Sequence, residues 1–226
     1  MKTKELIEVL ARQTKPVRRL PSPARRLATW IFLSSIWITA WISFFGVPAE
    51  VTSKMKEFSF WLESAPVLLI ALLSAYIALA LGIPGEARLP HVKKVMVFFA
   101  ASWLLAFIAG IPSRSHEFER SIAAGPGALC VESILELGFG PAILLLWMIR
   151  RGVPLYPGWN GVVALLGAAS LAAFGTQWLC PYDFPLHFLV WHLAPAWLLG
   201  AAGYWLGKKV LWWLPRNPSR TTSENA

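Results

Sequence analysis

The sequence predicts an all-α integral membrane protein: a six-transmembrane-helix bundle, N-in and C-in, with a short cytoplasmic amphipathic helix at its N-terminus. Three observations predict it. Apolar residues make up 56% of the 226-residue chain and charged residues 15%, with 13 tryptophans, a balance that a soluble domain has no interior to absorb. The apolar residues recur in blocks of about 20, the length needed to cross about 30 Å of hydrocarbon. The Lys and Arg residues gather in alternate connections, as they do in membrane proteins of fixed orientation.

In chain order the spans read as 27–46, 64–83, 95–111, 127–148, 158–179 and 185–207. The first follows Arg25 and Arg26 directly. It lacks the short apolar core and small-residue cleavage site of a secretory signal, so it is expected to be retained as a helix. The chain then divides into a cytoplasmic N-terminal segment (1–26), a membrane domain (27–207) and a cytoplasmic tail (208–226). Placing the N-terminus inside puts 17 of the 21 Lys and Arg residues on the cytoplasmic side and 4 on the far side. The net charge of +9 is thereby a topology signal with attraction to anionic lipid headgroups, and calls for no direct contact with nucleic acid.

Any cytoplasmic partner has only short segments to grip, and the N-terminal one is the longest. Leu6, Ile7, Val9 and Leu10 recur at helical spacing among Lys4, Glu5, Glu8 and Arg12, and Pro16 ends the pattern. Such a helix can lie on the membrane as a basic anchor or dock its apolar face in a partner's groove. At this length it is marginal alone in water and would order on binding.

The far side carries the chemistry. The two cysteines, Cys130 and Cys180, fall near the non-cytoplasmic ends of the fourth and fifth spans, in the compartment where disulfides persist. Fifty residues apart and outside any CxxC, they support neither a zinc ribbon nor a thioredoxin-type site. The pair can form one reversible disulfide or offer two thiolates to a soft metal ion. Around Cys180, Pro181 and Pro185 hold thiol, the Asp183 carboxylate and the His187 imidazole near one another. His192 lies five residues beyond His187, about one and a half α-helical turns, so the two rings are not expected to share a face. His116 is a further candidate ligand. Glu132 and Glu136 lie one turn apart near Cys130; carboxylates at membrane depth cost several kcal/mol unless paired, and are functional candidates unless the span starts late enough to wet them. No nucleophile–base pattern, HExxH or phosphate loop occurs, so no catalytic residue and no enzymatic activity is expected.

The opening Leu6-Ile7-x-x-Leu10-Ala11 followed by Pro16-Val17-Arg18-Arg19-Leu20-Pro21 resembles the start of the NrsF-like family, six-helix inner-membrane anti-sigma factors. The second half is similar too: a cysteine opening the fourth span, the Arg150-Arg151-Gly152-Val153-Pro154 turn, and Cys180-Pro181-x-Asp183-x-Pro185 leading to Trp191-His192. The resemblance implies a bacterial inner-membrane protein that sequesters an extracytoplasmic-function (ECF) sigma factor until envelope stress is sensed. It implies partner-binding residues in the N-terminal segment, here Leu6, Ile7, Leu10, Pro16, Val17, Arg18, Arg19 and Leu20. It also implies sensing of oxidants or heavy metals at Cys130 and Cys180; Asp183, His187 and Glu132 are accessory ligand candidates by their placement alone. No obligatory cofactor is expected; a heavy-metal ion held transiently at the two thiols is the one ligand implied. The rival readings are a membrane thiol oxidoreductase, which ordinarily relays through a second cysteine pair, and a small cation transporter resting on Glu132 and Glu136.

Overall fold

The computed structural model describes residues 3–5, 7, 8, 20–83, 94, 97, 101, 105, 127–152, 154–182 and 185–211. Every element among them is helical: α1 (Pro23–Phe45), α2 (Ala49–Lys54), α3 (Phe58–Leu81), α4 (Gly127–Arg150), α5 (Pro157–Thr176), α6 (Pro185–His187), a π-helix (Phe188–Leu193) and α7 (Ala194–Val210). Four of these helices, α1, α3, α4 and α5, are long and apolar enough to cross a membrane. They correspond to the first, second, fourth and fifth expected spans. The sixth corresponds to α6, the π-helix and α7, which follow one another without a gap over 185–210. The third expected span, 95–111, lies almost entirely outside the described residues. The short α2 was not anticipated, and α3 begins six residues before the expected start of the second span.

Local chemistry explains the ends of α1. Ser22 Oγ accepts a hydrogen bond from the Arg25 N–H at 3.4 Å and Pro23 sits in the first turn, where its missing N–H costs nothing. Gly46, at φ 81°, ends the helix in a backbone conformation that a side chain would strain.

The core is built on α5, which packs against α7, α3 and α4. Its buried face is made of small residues, among them Gly161, Ala164, Gly167, Ala168, Ala172 and Gly175. A Cβ on Gly161 would lie 2.1 Å from the carbonyl oxygen of Gly203 on α7, and one on Gly167 would lie 3.0 Å from the backbone nitrogen of Ala75 on α3. In lipid, where burial of apolar area gives helices little reason to associate, such close backbone approach and dispersion supply the attraction. Large side chains such as Trp30, Ile134, Leu145 and Ile149 fill the space between the other helices, while many others face outward. Phe44 is 81% exposed and Phe58 80%, with Phe32, Leu198 and Trp205 similarly placed. A surface of this kind suits hydrocarbon and is not tolerated by a soluble monomer.

Helix α1 is stitched to α4 by a four-residue rhythm. Arg26, Trp30, Ser34 and Ile38 are its buried residues. Trp30 Nε1 donates to Pro141 O at 3.0 Å and Trp37 Nε1 to Glu136 O at 3.3 Å, while Trp37 lies over Gly140, where a Cβ would come within 2.7 Å of its ring. Arg26 donates to Leu79 O at 3.2 Å and to Met148 O. Those carbonyls belong to the last turns of α3 and α4, so the start of α1 and the ends of α3 and α4 share one end of the bundle. Gly152 approaches Gly82 there as well. Arg25, Arg26, Arg150 and Arg151 thus mark a basic end, and the two cysteines lie at the other.

Candidate functional site

Three elements meet at the end of the bundle opposite those arginines: the first turn of α4, the turn after α5 and the start of the last helical run. Cys130 is on the buried face of α4. Cys180 closes the turn after α5, its N–H bonded to Thr176 O at 2.9 Å. The turn is fastened to α3 by a buried hydrogen bond from the Ser64 hydroxyl to Gln177 Oε1.

Both thiols are free and buried, and the Cys130 thiol donates to Cys180 Sγ at 3.7 Å. His187 Nε2 stands 3.4 Å from each sulfur. The Cys130 hydrogen bond and then the His187 contact outweigh burial, and hold the Cys180 thiol below the ordinary thiol range. Tyr182 leans on the His187 ring at a centroid distance of 5.0 Å.

His192 completes the group. One ligand atom from each of Cys130, Cys180, His187 and His192 lies within 4.8 Å of the others, and all four residues are buried. The expectation that His187 and His192 would face apart is therefore overturned. In an α-helix a residue five positions on is rotated by about 140°. Here the backbone between them is a π-helix, closed by i→i+5 bonds such as Ala194 N–H to Leu189 O, which returns residues five apart to one face. Pro195 supplies a physical reason: without an N–H it cannot bond to Trp191 O, so the α-helical ladder fails just where the π-helix occurs. A proline there marks a weak point in the ladder but does not fix the register, since Pro66 and Pro141 sit within α-helices of this chain.

The remaining sequence candidates separate from the cluster. Glu132 is exposed and is not one of the clustered ligands, because two residues along an α-helix is a rotation of about 200° from Cys130. Asp183 and His116 lie outside the described residues. At the N-terminus, residues 3–5, 7 and 8 are helical; Ile7 and Leu20 are exposed, while Leu6, Leu10, Pro16, Val17, Arg18 and Arg19 lie outside the described residues.

Searches of curated proteins and of solved structures return no match. A family model described as NrsF, negative regulator of sigma F, matches residues 10–213, most of the chain. The chain belongs to the NrsF family. Membership makes it a negative regulator of a sigma factor, with a sigma factor as its partner. The NrsF match runs through the cysteine turn and every helix from α1 to α7, so the thiol and imidazole cluster lies inside the family's own extent.

Proposed function

We propose that this NrsF-family chain is a six-span inner-membrane anti-sigma factor, both termini cytoplasmic, that holds an ECF-type sigma factor and releases it when its far-side thiols react. It acts by sequestration and not as an enzyme. The observation that carries the reading is the family match over 10–213, which includes the membrane domain and reaches into the N-terminal segment. The orientation is supported by the excess of Lys and Arg in alternate connections and by the gathering of Arg25, Arg26, Arg150 and Arg151 at one end.

The N-terminal segment 1–26 is the docking element, with the apolar face of Leu6, Ile7 and Leu10 and the basic run through Arg18 and Arg19. An amphipathic helix too short to be stable alone gains its order from the partner it binds. At the far side, oxidation removes two electrons and two protons from the Cys130 and Cys180 thiols and passes them to the oxidant. The sulfurs then close from 3.7 Å to the roughly 2.05 Å of a disulfide. That draws the start of α4 against the turn after α5. A soft metal ion held by both thiolates would bias the same joint.

Pull-down of the intact protein beside a truncation lacking residues 2–22, with mass spectrometry of captured cytoplasmic proteins, tests the reading. An ECF sigma factor with the intact protein alone is the expected result. No sigma factor with either removes the proposal, and capture by both moves the contact away from the N-terminus. For the sensing part, a Cys130→Ser, Cys180→Ser variant is expected to retain its sigma factor under oxidant or cadmium stress. Release by that variant would show that the thiols are not the sensor.

A further inference from the structure

We propose that Cys130, Cys180, His187 and His192 form a closed four-ligand site for a d10 divalent cation of the zinc and cadmium type. The inference rests on the sensing reading only in its choice of site; it names the ligand set and the class of ligand.

The spacing of the donor atoms carries it. Zinc–sulfur bonds of about 2.3 Å and zinc–nitrogen bonds of about 2.0–2.1 Å at tetrahedral angles set the two sulfurs about 3.8 Å apart, and each sulfur about 3.6 Å from a nitrogen. The cluster has 3.7 Å between Cys130 Sγ and Cys180 Sγ, and 3.4 Å from each sulfur to His187 Nε2. Three vertices of the polyhedron are therefore already at ligand spacing. The fourth, from His192, lies within 4.8 Å of the rest, against a nitrogen–nitrogen edge of about 3.4 Å, so a small ring movement completes the tetrahedron.

Burial supplies a second, independent observation. His192 is 2% exposed, and neither of its ring nitrogens has a hydrogen-bond partner. An unsatisfied buried polar group costs about 1–3 kcal/mol, which a protein seldom sustains without a use. Its neighbours within reach are soft sulfurs and another imidazole, a donor set that selects zinc-like ions over magnesium or calcium. A cavity of about 20 Å³ adjoins Cys180, His187 and His192, with Gln177, Lys54 and Glu63 also in its lining, enough for one water-sized or ion-sized occupant. Among the described residues the clustered donors are two thiols and two imidazoles, the composition of a closed, structural site. The ion would join α4, the turn after α5 and the π-helix, and would hold the π register because that register alone presents both histidines.

The full-length protein, purified reduced in detergent micelles and washed with chelator, would be titrated anaerobically with Co²⁺. Expected are one Co²⁺ per chain, a near-ultraviolet thiolate-to-cobalt charge-transfer band and the intense visible bands of tetrahedral cobalt, all displaced by Zn²⁺ or Cd²⁺. His192→Ala should weaken Co²⁺ binding by more than the roughly 10–100-fold typical of losing an outer-shell partner, and Cys130→Ser should remove most of the charge-transfer band. Only the weak bands of octahedral cobalt, or an unchanged spectrum and affinity in His192→Ala, would overturn the site. Should the variants not fold, as judged by gel filtration and helical circular dichroism, the unaltered protein decides. Zn²⁺ must then protect both thiols from alkylation until a chelator is added, and absence of protection sinks the proposal. Sigma-factor capture is a separate readout: metal binding without capture leaves this site standing, and capture without metal binding removes it while leaving the anti-sigma reading intact.

Discussion

A single arginine shows how much a charged side chain at the edge of a membrane bundle can organise. Arg26 is 4% exposed, and its guanidinium donates to Leu79 O and Met148 O. Both carbonyls lie in the last four residues of their helices, where no intrahelical partner exists, and both stand at the negative end of a helix dipole. One cation thus satisfies two helix ends and joins three helices. Replacing Arg26 by Met, which keeps the stem and removes the donors, is expected to cost about 1.5–3 kcal/mol, the range for hydrogen bonds to charged groups. Arg25, one residue away, is exposed, and Arg25→Met should stay within about 0.5 kcal/mol of the parent. Unfolding of the two variants side by side in the same micelles measures the contrast; equal losses would refute the clamp.

At the scale of elements, two features set the geometry. The π-helix over Phe188–Leu193 brings His192 back beside His187, and Pro195, which has no N–H, removes one rung of the α-helical ladder there. Pro195→Ala restores the missing N–H and allows an α-helical register, in which His192 turns about 140° away from His187. The expected outcome is a helix at least as stable but with Co²⁺ affinity lowered toward that of His192→Ala, read by paired thermal and cobalt titrations. The second feature is the backbone contact of α5 with α7, where a Cβ on Gly203 would fall 2.3 Å from Gly161 O. Backbone atoms cannot swing aside as a flexible side chain can, so Gly203→Val must push the helices apart. We expect a loss of about 1–3 kcal/mol or more, seen as a lowered unfolding midpoint in detergent.

For the whole molecule, the arginine-rich end and the thiol end lie at opposite ends of the bundle, and the proposed partner and proposed signal are assigned to them respectively. Reporter fusions test that orientation. Green fluorescent protein at the C-terminus should fluoresce, whereas alkaline phosphatase fused after Tyr182 should be active and after Pro154 inactive. The opposite pattern would reverse the topology and put the thiols in the reducing compartment. Energetics limit the signal. Moving a population from 99% bound to 99% released takes about 5.5 kcal/mol of bias, and a disulfide supplies typically about 2–4. Metal capture by four ligands, or a partner held near its dissociation threshold, would provide the remainder.

How much of this was legible beforehand follows from the range of the forces involved. Apolar block length, the alternation of basic connections and the cysteine turn are local properties, and from them the all-helical, apolar character of the chain, the positions of α1, α3, α4, α5 and α7 and the candidacy of Cys130 and Cys180 could be read. Hydrogen bonding across the chain was not legible. Arg26 reads in the sequence as one more basic residue at a membrane border, because the carbonyls it meets are 53 and 122 residues away. His192 reads as the wrong face of a helix, because an α-helical period was assumed where the backbone takes a π-helical one. Glu132 reads as a neighbour of Cys130, although helical rotation turns it outward. The sequence by itself determined which residues could meet lipid, water or oxidant; the tertiary structure decided which of them meet one another, since that depends on helix rotation and register that no local pattern encodes.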